Sequence, residues 1–150
     1  MSLMTLYESN YIRLGWILSA PEAVAGHLIS NVPGDVALHL QVLERCRFTT
    51  TLRLSYLLEG SRGPLLTPDM QVRVYHDARL AEACSCSGWR RASVIRQRLG
   101  EQIREIGGLR RELGERWARN MLLNKWLEYC AERGHRFETA DGRMTSAHRG

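Results

Sequence analysis

The sequence predicts an α+β domain: an N-terminal helix, a four-stranded antiparallel meander, and C-terminal helices packed on one sheet face. Two observations carry that prediction. Apolar residues recur at spacings of three and four over residues 4–19, alternate at period two over 36–86, and return to the helical period beyond Gly88. The alternating runs are also joined by short connections, which suits antiparallel neighbours, because parallel strands need crossovers of about a dozen residues.

In the first helix Leu6, Tyr7, Tyr11, Leu14 and Leu18 share one side, and Pro21 follows its expected end. Residues 20–35 carry Pro, Gly, Asn and Ser breakers, close with Pro33-Gly34-Asp35, and read as a loop. Four strands follow: Val36 to Leu43, Thr49 to Tyr56, Met70 to His76 and Leu80 to Cys86. Between the second and third, Glu59 to Pro64 and Pro68-Asp69 read as turns.

Ile95, Leu99, Ile103, Ile106, Leu109, Leu113 and Trp117 then recur at three or four, and Met121, Leu122, Trp126, Tyr129 and Cys130 continue the stripe. Glycine weakens a helix interior by up to about 1 kcal/mol. A break is therefore expected at Gly107-Gly108, with a firmer helix over 111–132, capped by Gly134.

The 150 residues are 44% apolar and 25% charged, as in ordinary globular proteins, which excludes a disordered or fibrous chain. No apolar run approaches the ~18 residues of a membrane span, and the N-terminus lacks a secretory pattern. The expectation is a cytoplasmic chain without membrane contact, a single domain over 1–137, and a flexible tail over 138–150.

Twenty of the 21 basic residues are arginine, and nine lie in residues 90–119 with four glutamates, a net of +5; the rest of the chain cancels. The surface therefore offers planar, bidentate donors suited to carboxylate and phosphate. The segment can engage an acidic protein, RNA or a nucleotide, with Trp89, Arg90, Arg91, Arg96 and Arg98 as binding residues. Trp89 stands between Gly88 and two arginines, where an indole can stack a base. Trp16, Trp117 and Trp126 sit at helical apolar positions and are expected in the core. Glu101, Glu112 and Glu115 stand three or four residues from arginines, so intrahelical pairs are expected to neutralise part of the charge.

The alternative is a small hydrolase acting on a phosphorylated metabolite or nucleotide through Arg73, Tyr75, His76, Asp77 and Arg79 at a strand end. Adjacent His and Asp recur in metal phosphohydrolases, which need further ligands. Neighbours on a strand point to opposite faces, so a turn at 77–79 with a half-buried His76 is the cheaper reading. No nucleophile elbow, dinucleotide turn or phosphate loop is present. Cys84 and Cys86, two apart, are expected on one face. With Cys46 and Cys130 they lack knuckle spacing, so reduced structural cysteines without metal or cofactor are expected. The balance leans away from an enzyme.

Four blocks carry a resemblance. Met70 to Cys84 (MQVRVYHDARLAEAC) resembles the central signature of the YqiB-like family of small bacterial proteins of unknown function. Glu8-Ser-Asn10-Tyr11-Ile-Arg-Leu14 is similar to its opening helix, Phe48 to Thr51 to its second-strand segment, and Leu123 to Cys130 with Gly134 to its closing helix. Residues 89–116 depart from the family's pattern. The resemblance implies a cytoplasmic α+β domain and supplies no activity.

Overall fold

The computed structural model describes residues 1–88 and 93–138. Helix α1 (Leu3–Ile17) begins where the Ser2 hydroxyl accepts the Thr5 N–H at 3.0 Å, satisfying one of the first turn's unpaired donors. Leu6, Asn10, Leu14 and Ile17 turn inward. The five strands β1 (His27–Ser30), β2 (Ala37–Arg45), β3 (Thr49–Gly60), β4 (Gly63–Tyr75) and β5 (Leu80–Ser87) pair in sequence order, each antiparallel to the next.

The sheet thus has one strand more than the sequence suggested. His27–Ser30 lies inside the expected loop 20–35; only four residues long, it presents too short an alternation to be recognised. It is fixed by long-range pairing, with Leu28 opposite Leu40 and Ser30 opposite Leu38. The turn-rich stretch 59–69 is also corrected. Gly60 pairs with Gly63, so only Ser61 and Arg62 turn, and residues 63–69 belong to β4.

Leu38, Leu40, Leu52, Leu54, Tyr56, Met70, Val72, Val74, Ala81 and Ala83 are buried on one sheet face. Leu14 and Ile17 of α1 join them in a single core with the C-terminal helices. Each buried leucine contributes about 2 kcal/mol relative to exposure. Tyr56 of β3 meets Trp126 edge-on, ring centroids 5.3 Å apart.

The C-terminal helices are α2 (Ser93–Leu99), α3 (Gln102–Leu113) and α4 (Glu115–Arg133). The breaks fall at Gly100 and Gly114, both at positive φ, and α3 runs through Gly107-Gly108. Packing overrides propensity here: Ile106 is buried and Ile103 half-buried against the core. Gly134 caps α4 in the left-handed conformation, as expected. Beyond it the Phe137 N–H returns to the Ile17 carbonyl at 2.6 Å, tying the end of the domain to the end of α1. The expected tail lies, apart from Glu138, outside the described residues.

Candidate functional site

The strand-end residues that suggested hydrolysis go to four different places. Arg73 and Tyr75 stand on the sheet face opposite the core. The Tyr75 hydroxyl donates to Glu82 at 3.1 Å, and Tyr7 of α1 donates to the other Glu82 oxygen at 3.3 Å. Burial and the Glu82 carboxylate raise the Tyr7 pKa, so that phenol remains a donor. His76, one residue on, points the other way and hydrogen-bonds with Thr50, Nε2 to Oγ1 at 2.8 Å. Asp77 is exposed in the turn. Arg79 leaves it toward α1, at φ +58°.

Arg79 lines a groove of about 610 Å³ between the β4–β5 turn and α1, together with Glu8, Tyr11, Ile12, Gly15, Trp16 and Ala78. A smaller cavity of about 120 Å³ continues past Gly15 and Trp16 to Arg136 and Phe137. Trp16, expected in the core, is 43% exposed, with the Arg13 guanidinium 5.1 Å from its ring centre. Trp126 is fully buried, as expected, and Trp117 half-buried.

A second polar cluster could not be read from spacing. His135 lies between Ser30 (Nδ1 to Oγ, 2.9 Å) and Asp35 (Nε2 to Oδ2, 2.8 Å). Asp35 also accepts from Arg98 Nε at 3.0 Å and from the Tyr56 hydroxyl at 3.3 Å. Burial alone would raise the Asp35 pKa; the hydrogen bonds from Arg98 and His135 outweigh it and hold the carboxyl below its ordinary value. The order serine–histidine–aspartate resembles a hydrolytic triad, but Ser30 is 2% and His135 0% exposed, and the Ser30 oxygen accepts the Arg136 N–H. With the hydroxyl sealed from solvent, the chemistry the cluster performs is bracing. It joins β1, the β1–β2 loop, β3, α2 and the end of α4, residues up to 105 positions apart. The only sequence signals were the Pro33-Gly34 turn and the Gly134 cap beside its members.

Arg98, named from the sequence as a binding residue, pairs with the Asp35 carboxylate at 3.0 Å. Trp89, Arg90, Arg91 and the Arg96 side chain lie outside the described residues. The expected intrahelical pairs are revised. Arg110 reaches Glu115 at 2.7 Å across the α3–α4 break, and Arg119 donates to the Ala83 carbonyl at 2.8 Å. Arg104, Arg111 and Arg116 are exposed.

Cys84 and Cys86 do not share a face as expected. Met70 pairs with Cys86 and Val72 with Ala83, so β5 holds one extra residue there. Cys86 packs on the core, and burial pushes its thiol up to about 12; Cys84 sits beside Glu82 and Arg73. Among the described residues no three His, Cys, Asp or Glu side chains are grouped to hold a metal ion.

Comparison with known proteins now decides the family. The model of the family described as "Protein of unknown function (DUF1249)" matches residues 13–136. The chain belongs to that family. It is 27% identical over 132 residues to "Uncharacterized protein YqiB" of Escherichia coli (strain K12) and equally to that of Escherichia coli O157:H7, covering 88% of each chain. No solved structure matches. The DUF1249 match begins within α1 at residue 13 and ends beyond α4, so it takes in the whole Asp35–His135 brace but only Gly15, Trp16, Ala78 and Arg79 of the groove. Among the described residues no helix is long and apolar enough to cross a membrane.

Proposed function

We propose that this DUF1249 member is a non-enzymatic binding protein whose segment 90–119 engages an anionic partner, an acidic protein or a nucleic acid. The observation that supports this reading is the state of Arg104, Arg111 and Arg116. All three are exposed, and none of their guanidinium groups makes a hydrogen bond or ion pair among the described residues. Arg104 and Arg111 are seven residues apart on α3, two turns along one side. The hydrolase alternative has less to stand on, because Arg73, His76, Asp77 and Arg79 diverge and the serine–histidine–aspartate chain is sealed.

The test is capture from native lysate with and without nuclease, followed by titration of the captured partner across a salt series. Replacing Arg104, Arg111 and Arg116 together by Gln weakens binding without lowering the melting temperature. For a single-stranded nucleic acid the salt slope falls by about 2, at ~0.7 for each phosphate no longer neutralised. Binding indifferent to salt and to these substitutions counts against the reading. So does turnover of a phosphatase or phosphodiesterase substrate that folded His76→Ala and Asp77→Asn variants abolish.

A further inference from the structure

Among the residues lining the α1 groove, Gly15 is a poor choice for the fold, and nothing among the described residues explains it. Gly15 lies in α1, where a Cβ would meet no heavy atom within 4 Å. Alanine would fit and would strengthen the helix. Arg79 closes the β4–β5 hairpin turn in the left-handed region, its N–H donating to the Tyr75 carbonyl at 2.9 Å, and its side chain is delivered from that turn to the groove. A helix glycine that nothing crowds, set beside a groove, points to a close approach made there.

The surface beside Gly15 has the form of a helix-packing face. Met4, Glu8, Ile12 and Trp16 follow one another at intervals of four, forming a single ridge along about 18 Å of helix. Its three apolar members are 54%, 57% and 43% exposed. Gly15 leaves a notch beside that ridge, into which the ridge of a second helix fits.

The charges identify the occupant. Glu8 and Arg79 line the same groove, yet neither side chain makes a hydrogen bond or ion pair among the described residues. A patch with an apolar ridge, one free acid and one free base is complementary to itself under a two-fold rotation. We infer that two copies of this chain associate through a symmetric α1–α1 contact. The Met4–Trp16 ridge of each packs at the Gly15 notch of the other, and Glu8 of each pairs with Arg79 of the other.

Sedimentation velocity on the full chain over a wide concentration range tests this. Wild type shows a reversible monomer–dimer equilibrium. Glu8→Arg or Arg79→Glu alone weakens it by about tenfold or more, because each sets like charges together; the double reversal restores it. Gly15→Gln raises the melting temperature while weakening the dimer, a combination that separates a disrupted interface from a disrupted fold. A wild type that stays monomeric throughout overturns the inference, even if α1 captures some other protein. A dimer indifferent to the single reversals overturns it too, and failure of the double reversal to restore association overturns the reciprocal pairing.

Discussion

The side-chain amide of Asn120 takes both main-chain groups of Ala83: its Oδ1 accepts the Ala83 N–H at 2.7 Å, and its Nδ2 donates to the Ala83 carbonyl at 3.4 Å. Helix α4 therefore stands where a sixth strand would pair. Asn10 of α1 extends the pattern, donating to the Ala81 carbonyl at 3.4 Å and to Asn120 Oδ1 at 3.3 Å, and Asn124 donates to Asn10 Oδ1 at 3.1 Å. Three buried asparagines thus cover the open edge of β5, a feature that otherwise invites edge-to-edge aggregation.

Replacing Asn120 by Ala leaves the Ala83 N–H buried without a partner and strips Asn10 of an acceptor. A loss of about 2–3 kcal/mol is expected, at the usual cost of unsatisfied buried groups. Urea denaturation measures it, and light scattering during refolding should rise as the β5 edge is uncovered. Unchanged stability would mean that the network is not what seals the edge.

The Asp35 brace gives a pH signature in acid. Its folded pKa is held below the ordinary value, so its contribution is fully present above about pH 4 and is lost as pH falls through the depressed value. Asp35→Asn should cost about 3 kcal/mol near neutrality, since it leaves Arg98 without its buried carboxylate. It should also flatten the acid limb of stability against pH. An equally steep limb in the variant would refute this.

His39 gives a second signature nearer neutrality. Burial, His27 and Arg53 all lower its pKa. Below its unfolded value near 6.5 the unfolded chain binds the proton more readily than the folded one, so stability declines as pH drops from that point. Melting temperatures of wild type and His39→Gln between pH 7 and 5 are the check, and parallel curves would dismiss the assignment.

Thiol reactivity separates the four cysteines. Cys46 is exposed, while burial raises the pKa of Cys84, Cys86 and Cys130 and suppresses their thiolates. In a native-state thiol titration near pH 7.5 one equivalent, assigned to Cys46 by mass spectrometry, should react first, and the others only on unfolding. Rapid modification of Cys86 would contradict its packing on the core.

What the sequence determined by itself was the local period of each segment and the identity of its ends. Alternation placed β2 through β5, three-and-four spacing placed α1 and the C-terminal helices, and Gly134 marked the end of α4 because only glycine turns left-handed there without strain. Tertiary structure decided whatever depended on a partner far along the chain. β1 exists because β2 pairs with it, and α3 passes through two glycines because Ile106 is anchored in the core. The β5 bulge moved Cys84 and Cys86 to different surroundings, since one inserted residue reverses the alternation that spacing relies on. The polar brace of Ser30, Asp35, Arg98 and His135 left no periodic trace, because a buried hydrogen bond depends on where two atoms meet rather than on how many residues separate them.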